Sequence, residues 1–133
     1  MKGLQKEIDW VTLTRDCRIL DITDDNNNNL KYSDVAEPWQ TEIDCAITQY
    51  PRVYLQLPRG HDKTDRYAWW SLLWLESTQA CRGYAVGVDT DNARLFRDSS
   101  KKLAALHPEL FSEIVVEKNT VFSKKTGSYI QTI

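Results

Sequence analysis

The sequence predicts an α/β domain with a mostly parallel sheet and flanking helices. A β-prone run, Val53–Leu57, leads through a Pro-Arg-Gly turn into a long apolar segment, Tyr67–Leu75. A second apolar run, Gly83–Val88, lacks polar alternation, as a parallel strand covered on both faces does. A helical pattern follows each run, and the resulting βαβα order is that of an α/β sheet. The chain has 133 residues, 41% hydrophobic and 27% charged. A chain of this length buries roughly two-thirds of the surface its unfolded form exposes, enough for one core.

Residues 4 to about 20 carry Leu4, Ile8 and Val11 near helical spacing, which predicts a helix, with the Asp24–Asn29 tract as a loop and the one place for disorder. Ser33-Asp34 offers an N-cap and Pro38 suits a first helical turn. Trp39, Ile43, Ala46 and Ile47 then recur at i, i+4, i+7 and i+8, predicting an amphipathic helix that ends near Tyr50-Pro51. The Tyr67–Leu75 helix is apolar around almost its whole circumference, so it should be largely buried. After Gly83–Val88, Asp89-Thr-Asp-Asn92 predicts a strand end and helix N-cap. Ala93, Phe96, Leu103, Ala104 and Leu106 carry that helix to His107-Pro108, where proline stops it. Short strands are expected over 112–117, 120–123 and 128–133, with turns at 118–119 and 124–127.

A net charge of −2 argues against a surface built wholly for nucleic acid, because sequence-independent DNA affinity comes from Lys and Arg neutralising phosphates. Three cysteines, Cys17, Cys45 and Cys81, are odd in number and widely spaced, which suggests neither a disulfide framework nor a zinc site. The polar start and the short apolar runs predict an intracellular protein without a membrane span.

The segment Leu57-Pro-Arg-Gly-His-Asp-Lys-Thr-Asp65 carries the most chemistry. A phosphate cradle needs backbone N–H groups at a helix N-terminus, a lysine for the outer phosphates and a hydroxyl for Mg²⁺. Gly60 permits the turn, Lys63 is the candidate charge and Thr64 the candidate Mg²⁺ ligand, with His61 and Asp62 inside the loop. In the G-x-x-x-x-G-K-[ST] pattern the glycine positions fall on Leu57 and Asp62, so only the Lys-Thr pair matches strictly. A polar loop between strand and helix accounts for the same residues. Lys125-Thr126 is an internal control: it is the same dipeptide, set in a turn between strands with no helix after it.

With Arg59 four residues ahead of Lys63, this segment resembles the variant Walker A loop of the large terminase subunits of tailed viruses. Pro38-Trp39-Gln40 is similar to the upstream segment that contacts adenine in those motors, which implies that Gln40 hydrogen-bonds the base. The resemblance covers about residues 36–133 as the N-terminal portion of the ATPase domain, with 1–35 as a separate helical segment and Asn-rich loop. It implies a P-loop NTPase-like fold of the ASCE type, incomplete here, that binds ATP and Mg²⁺ through Gln40, Arg59, Gly60, His61, Asp62, Lys63 and Thr64. In the complete motor it implies duplex DNA, a small terminase subunit and the portal as partners, homo-oligomer formation, and a place in the host cytoplasm.

The family's Walker B strand with its acidic pair, its trans-acting arginine and its nuclease domain would lie beyond Ile133, and no apolar strand ending in Asp-Glu occurs in the sequence. The expectation is therefore binding with little hydrolysis, and no catalytic residue is assigned. Two other readings stay open: a non-catalytic remnant or interaction module that binds a partner through an uncovered sheet edge, and one half of a helicase-like ATPase.

Asp89, Asp91 and Asn92 lack the glycine and distal glutamate of a calcium loop. His61 and His107 have no partners at metal spacing, and no Ser-His-Asp or Cys-His order is evident. Trp69, Trp70 and Trp74 sit among leucines and read as core instead of a stacking platform for single strands. Lys101-Lys102 and Lys124-Lys125 read as solvated surface.

Overall fold

A computed structural model describes residues 9–57, 63–87 and 90–133. The chain forms two compact units, the first running to Leu55 and the second starting at Gln56.

In the first unit, helix α1 (Trp10–Cys17) begins at Asp9, whose carboxylate accepts from the Thr12 N–H at 3.0 Å and the Thr12 hydroxyl at 2.7 Å. These bonds favour the ionised form and hold the Asp9 carboxyl below its ordinary range. The helix stops at Cys17, and Ile19 to Thr23 form strand β1, paired antiparallel with β2 (Asn29–Lys31). A helix reaching residue 20 is thus corrected, and residues 4–8 lie outside the described part. The Asn-rich tract forms a hairpin turn: Asp24 Oδ1 accepts from the N–H groups of Asn26 (2.9 Å) and Asn28 (3.0 Å), while Asn27 takes the left-handed conformation at φ 63°.

The short helix α2 (Tyr32–Val35) and then α3 (Pro38–Gln49) follow. Pro38 opens α3 as its first residue and Glu37 is its N-cap, in place of Ser33-Asp34; the Asp34 carboxylate instead accepts from the Lys31 N–H at 3.3 Å. Buried Tyr32 donates to Asp44 at 2.9 Å, and the buried Arg18 guanidinium lies 4.9 Å from the Tyr32 ring centre. Val53–Leu57 forms no strand, because β-propensity yields a ladder only where a neighbouring strand completes it.

The second unit contains α4 (Lys63–Ser77), β3 (Arg82–Ala85), α5 (Thr90–Leu106), α6 (Pro108–Phe111), β4 (Ile114–Val116), β5 (Thr120–Ser123) and β6 (Tyr129–Thr132). The sheet order is β3-β6-β5-β4. Only β3 and β6 are parallel; the β4–β5 and β5–β6 pairs are antiparallel. The mostly parallel sheet expected from sequence is therefore a mixed one. Turns as short as those between β4, β5 and β6 can only reverse the chain, whereas the α5 crossover lets β3 and β6 run in the same direction. Gly127, at φ 76°, closes the last turn.

Residues alternate along β3, with Arg82 and Tyr84 exposed and Gly83 and Ala85 partly covered, so this strand is not sandwiched between two layers. One face presents Gly83, Ile130 and Val121 to the helices, and a Cβ on Gly83 would stand 3.1 Å from Ile130 Cγ1 and 3.5 Å from the Trp74 ring. The other face carries the cross-strand row Arg82, Tyr129, Phe122 and Val115.

The core is built on α4, where Ala68, Trp69, Trp70, Leu72, Leu73 and Leu75 are buried, as the all-round apolar pattern predicts. Arg66 is fully buried among them. Trp69 packs edge-on against His107 (4.9 Å) and Phe111 (5.5 Å), and His107 Nδ1 lies 2.9 Å from the Leu103 carbonyl. His107 is thus a core residue. At the far end of α4 the Thr126 hydroxyl donates to the Leu75 carbonyl at 2.5 Å, and the Ser128 hydroxyl donates to that of Thr78. Lys125-Thr126 is therefore part of a turn that clasps α4, consistent with its reading as the control pair.

Candidate functional site

Lys63 and Thr64 are the first residues of a 15-residue helix. Four N–H groups at such an end have no intrahelical partner, and the helix dipole adds partial positive charge there, so the end favours anions. The two side chains open on a groove of about 560 Å³, which Tyr67 and Ser71 continue along α4. Its other walls are the end of β3 with the residues after it, Tyr84 to Gly87, and Leu95 and Phe96 of α5.

Lys63, Tyr67 and Ser71 follow one another at i, i+4 and i+8, which sets them on one stripe of the helix. Lys63 is exposed and Thr64 half-buried. Asp65, next in sequence, pairs with Lys102 of α5 at 3.2 Å. Tyr67 is 39% exposed, and partial burial pushes its hydroxyl above the ordinary tyrosine pKa, so the ring presents a neutral phenol.

The remaining residues expected to bind nucleotide stand differently. Arg59, Gly60, His61 and Asp62 lie outside the described residues, as does Asp89 with its expected place before α5. Gln40 belongs to the first unit, where its Oε1 accepts from the Glu37 N–H at 2.8 Å and so caps α3; the Glu37 carboxylate in turn accepts from the Trp39 indole at 2.7 Å. Periodicity marks Tyr67 and Phe96 only as apolar helix positions and does not single out Ser71; the signal that could have found Tyr67 and Ser71 is their i+4 and i+8 spacing from Lys63.

Among the described residues no group of three His, Cys, Asp or Glu side chains could hold a metal by itself. A divalent ion at Thr64 would have to arrive with phosphate oxygens and water completing its shell. Among the same residues no helix is long and apolar enough to cross a membrane. No protein-family model matches the chain, and no curated protein matches it.

Proposed function

We propose that this chain is an ATP-binding portion of a viral DNA-packaging motor of the large-terminase kind, in which hydrolysis by the complete protein drives DNA translocation. The observation that carries the proposal is that Lys63 and Thr64 open α4 and both line the groove beside the end of β3. Phosphates seated over the first turn would meet the N–H groups of α4, the Lys63 ammonium would reach the outer phosphates, and the Thr64 hydroxyl would supply one Mg²⁺ ligand. Mg²⁺ when bound neutralises phosphate charge. The resemblance adds Arg59, Gly60, His61 and Asp62 to the residues of this reading. The sequence holds no apolar strand ending in an acidic pair, so the proposal is one of binding, with turnover left to residues of the complete motor.

Calorimetric titration of the chain with Mg²⁺-ATP, beside Lys63→Ala, tests this. Saturable binding that the variant loses supports it. Equal binding by both, or none at millimolar concentration, removes the nucleotide site.

A second reading has an observation of its own. Tyr84 of β3 and Val86 just after it are 54% and 74% exposed, and β3 is an edge strand of the sheet. Such an edge accepts a further strand from a partner. In that reading the chain is an interaction module, and Lys63→Ala leaves partner binding unchanged.

A further inference from the structure

We infer that the groove along α4 seats the base of the nucleotide, stacked on Tyr67, with Phe96 and Leu95 as the facing wall. The inference rests on the nucleotide reading above and moves base recognition away from Gln40.

Tyr67 stands one helical turn beyond Lys63 on the same stripe, and positions four apart on a helix are about 5–6 Å apart at Cβ. A ligand whose phosphates meet Lys63 therefore has Tyr67 as its next neighbour along the groove. Across from it, Phe96 and Leu95 supply an aromatic and an aliphatic surface from α5, and Leu95 is 52% exposed. A cation and a hydroxyl at one end and an aromatic-lined cleft beyond them match the two halves of a nucleotide, a charged tail and a flat ring system. Tyr67 keeps more than a third of its surface open, and its neutral phenol adds no charge that would repel phosphate.

Gln40 has a task of its own: its carbonyl oxygen accepts the Glu37 N–H and caps α3, so turning the amide toward a base would break that cap. Stacking on Tyr67 is open to any base, because every base has a π-face, so ATP and GTP should bind within a few-fold of each other.

Calorimetry with Mg²⁺-ATP and with Mg²⁺-tripolyphosphate, which has no base, separates the possibilities. Tyr67→Ala should weaken ATP about tenfold or more and leave tripolyphosphate unchanged, while Tyr67→Phe keeps ATP affinity. Lys63→Ala should lose both ligands. ATP binding by Tyr67→Ala at wild-type strength, with Lys63→Ala impaired, overturns the stacking role while sparing the phosphate site. Loss of ATP affinity in Gln40→Ala with none in Tyr67→Ala returns the base to Gln40. Failure of the unaltered chain to bind either compound overturns the nucleotide reading, and this inference with it.

Discussion

Lys102 of α5 places its ammonium nitrogen 3.2 Å from the carboxylate of Asp65, two residues beyond the lysine that opens α4. The pair ties the first turn of the site helix to its neighbour. Both side chains are more than a third open to solvent, so the attraction is screened. Lys102→Ala should cost less than about 1 kcal/mol in urea unfolding, and the difference should shrink further in about 1 M salt. A loss that is larger and insensitive to salt would show that Lys102 acts through packing of its aliphatic stem instead.

The clasp at the other end of α4 should matter more. The Thr126 hydroxyl donates to the Leu75 carbonyl and accepts from the Ser128 N–H at 3.2 Å, all in buried surroundings. Thr126→Val keeps the shape and leaves both backbone groups without that partner, so it should cost about 1–3 kcal/mol. Thr126→Ser keeps the hydroxyl and should recover most of the loss. A lower urea midpoint at unchanged slope is the expected readout.

Trp69, with no exposed surface, joins α4 to His107 and Phe111. Trp69→Ala should cost about 3–5 kcal/mol, which approaches the whole stability of a small unit. Loss of the near-ultraviolet circular dichroism of the second unit would register it. A variant as stable as the parent would place Trp69 outside the core.

The packing that these variants probe was largely legible in the sequence. Pro38 marked the start of α3, Pro108 the end of α5, and the all-round apolar pattern the burial of α4. Those signals are local, and local backbone chemistry fixes them. Sheet direction was not legible: β-rich runs state that strands exist, and only turn lengths and the α5 crossover decide which neighbours run parallel. Val53–Leu57 has strand composition without a ladder partner, and the β1–β2 hairpin was hidden because β1 overlaps the end of a run compatible with a helix and β2 begins in the Asn-rich tract. In the candidate groove, Lys63 and Thr64 were singled out by motif. Tyr67 and Phe96 were not, because aromatic residues on buried helices read as core until a groove is seen beside them. Arg66 could not be placed in the interior from its charge.

Glu76 gives a pH signature. Its carboxyl pKa is raised above the ordinary 4.5, first by burial, with some help from Glu113, while Lys125 and the Ser123 hydroxyl pull the other way. Because the folded state disfavours the charged form, the stabilising contribution is full below the unfolded pKa and is lost as pH rises from about 4.5 through the folded value. Glu76→Gln should flatten that segment of the stability profile. An unchanged profile above pH 4.5 would show that Glu76 titrates alike in both states.

The proposed nucleotide site stands on Lys63, at the head of α4, meeting the phosphates. Titration calorimetry of the chain and of Lys63→Ala with Mg²⁺-ATP tests it most directly. Saturable binding by the parent, abolished in a folded Lys63→Ala, is the expected result; heats equal to those of dilution for both, or equal affinity for both, contradict it.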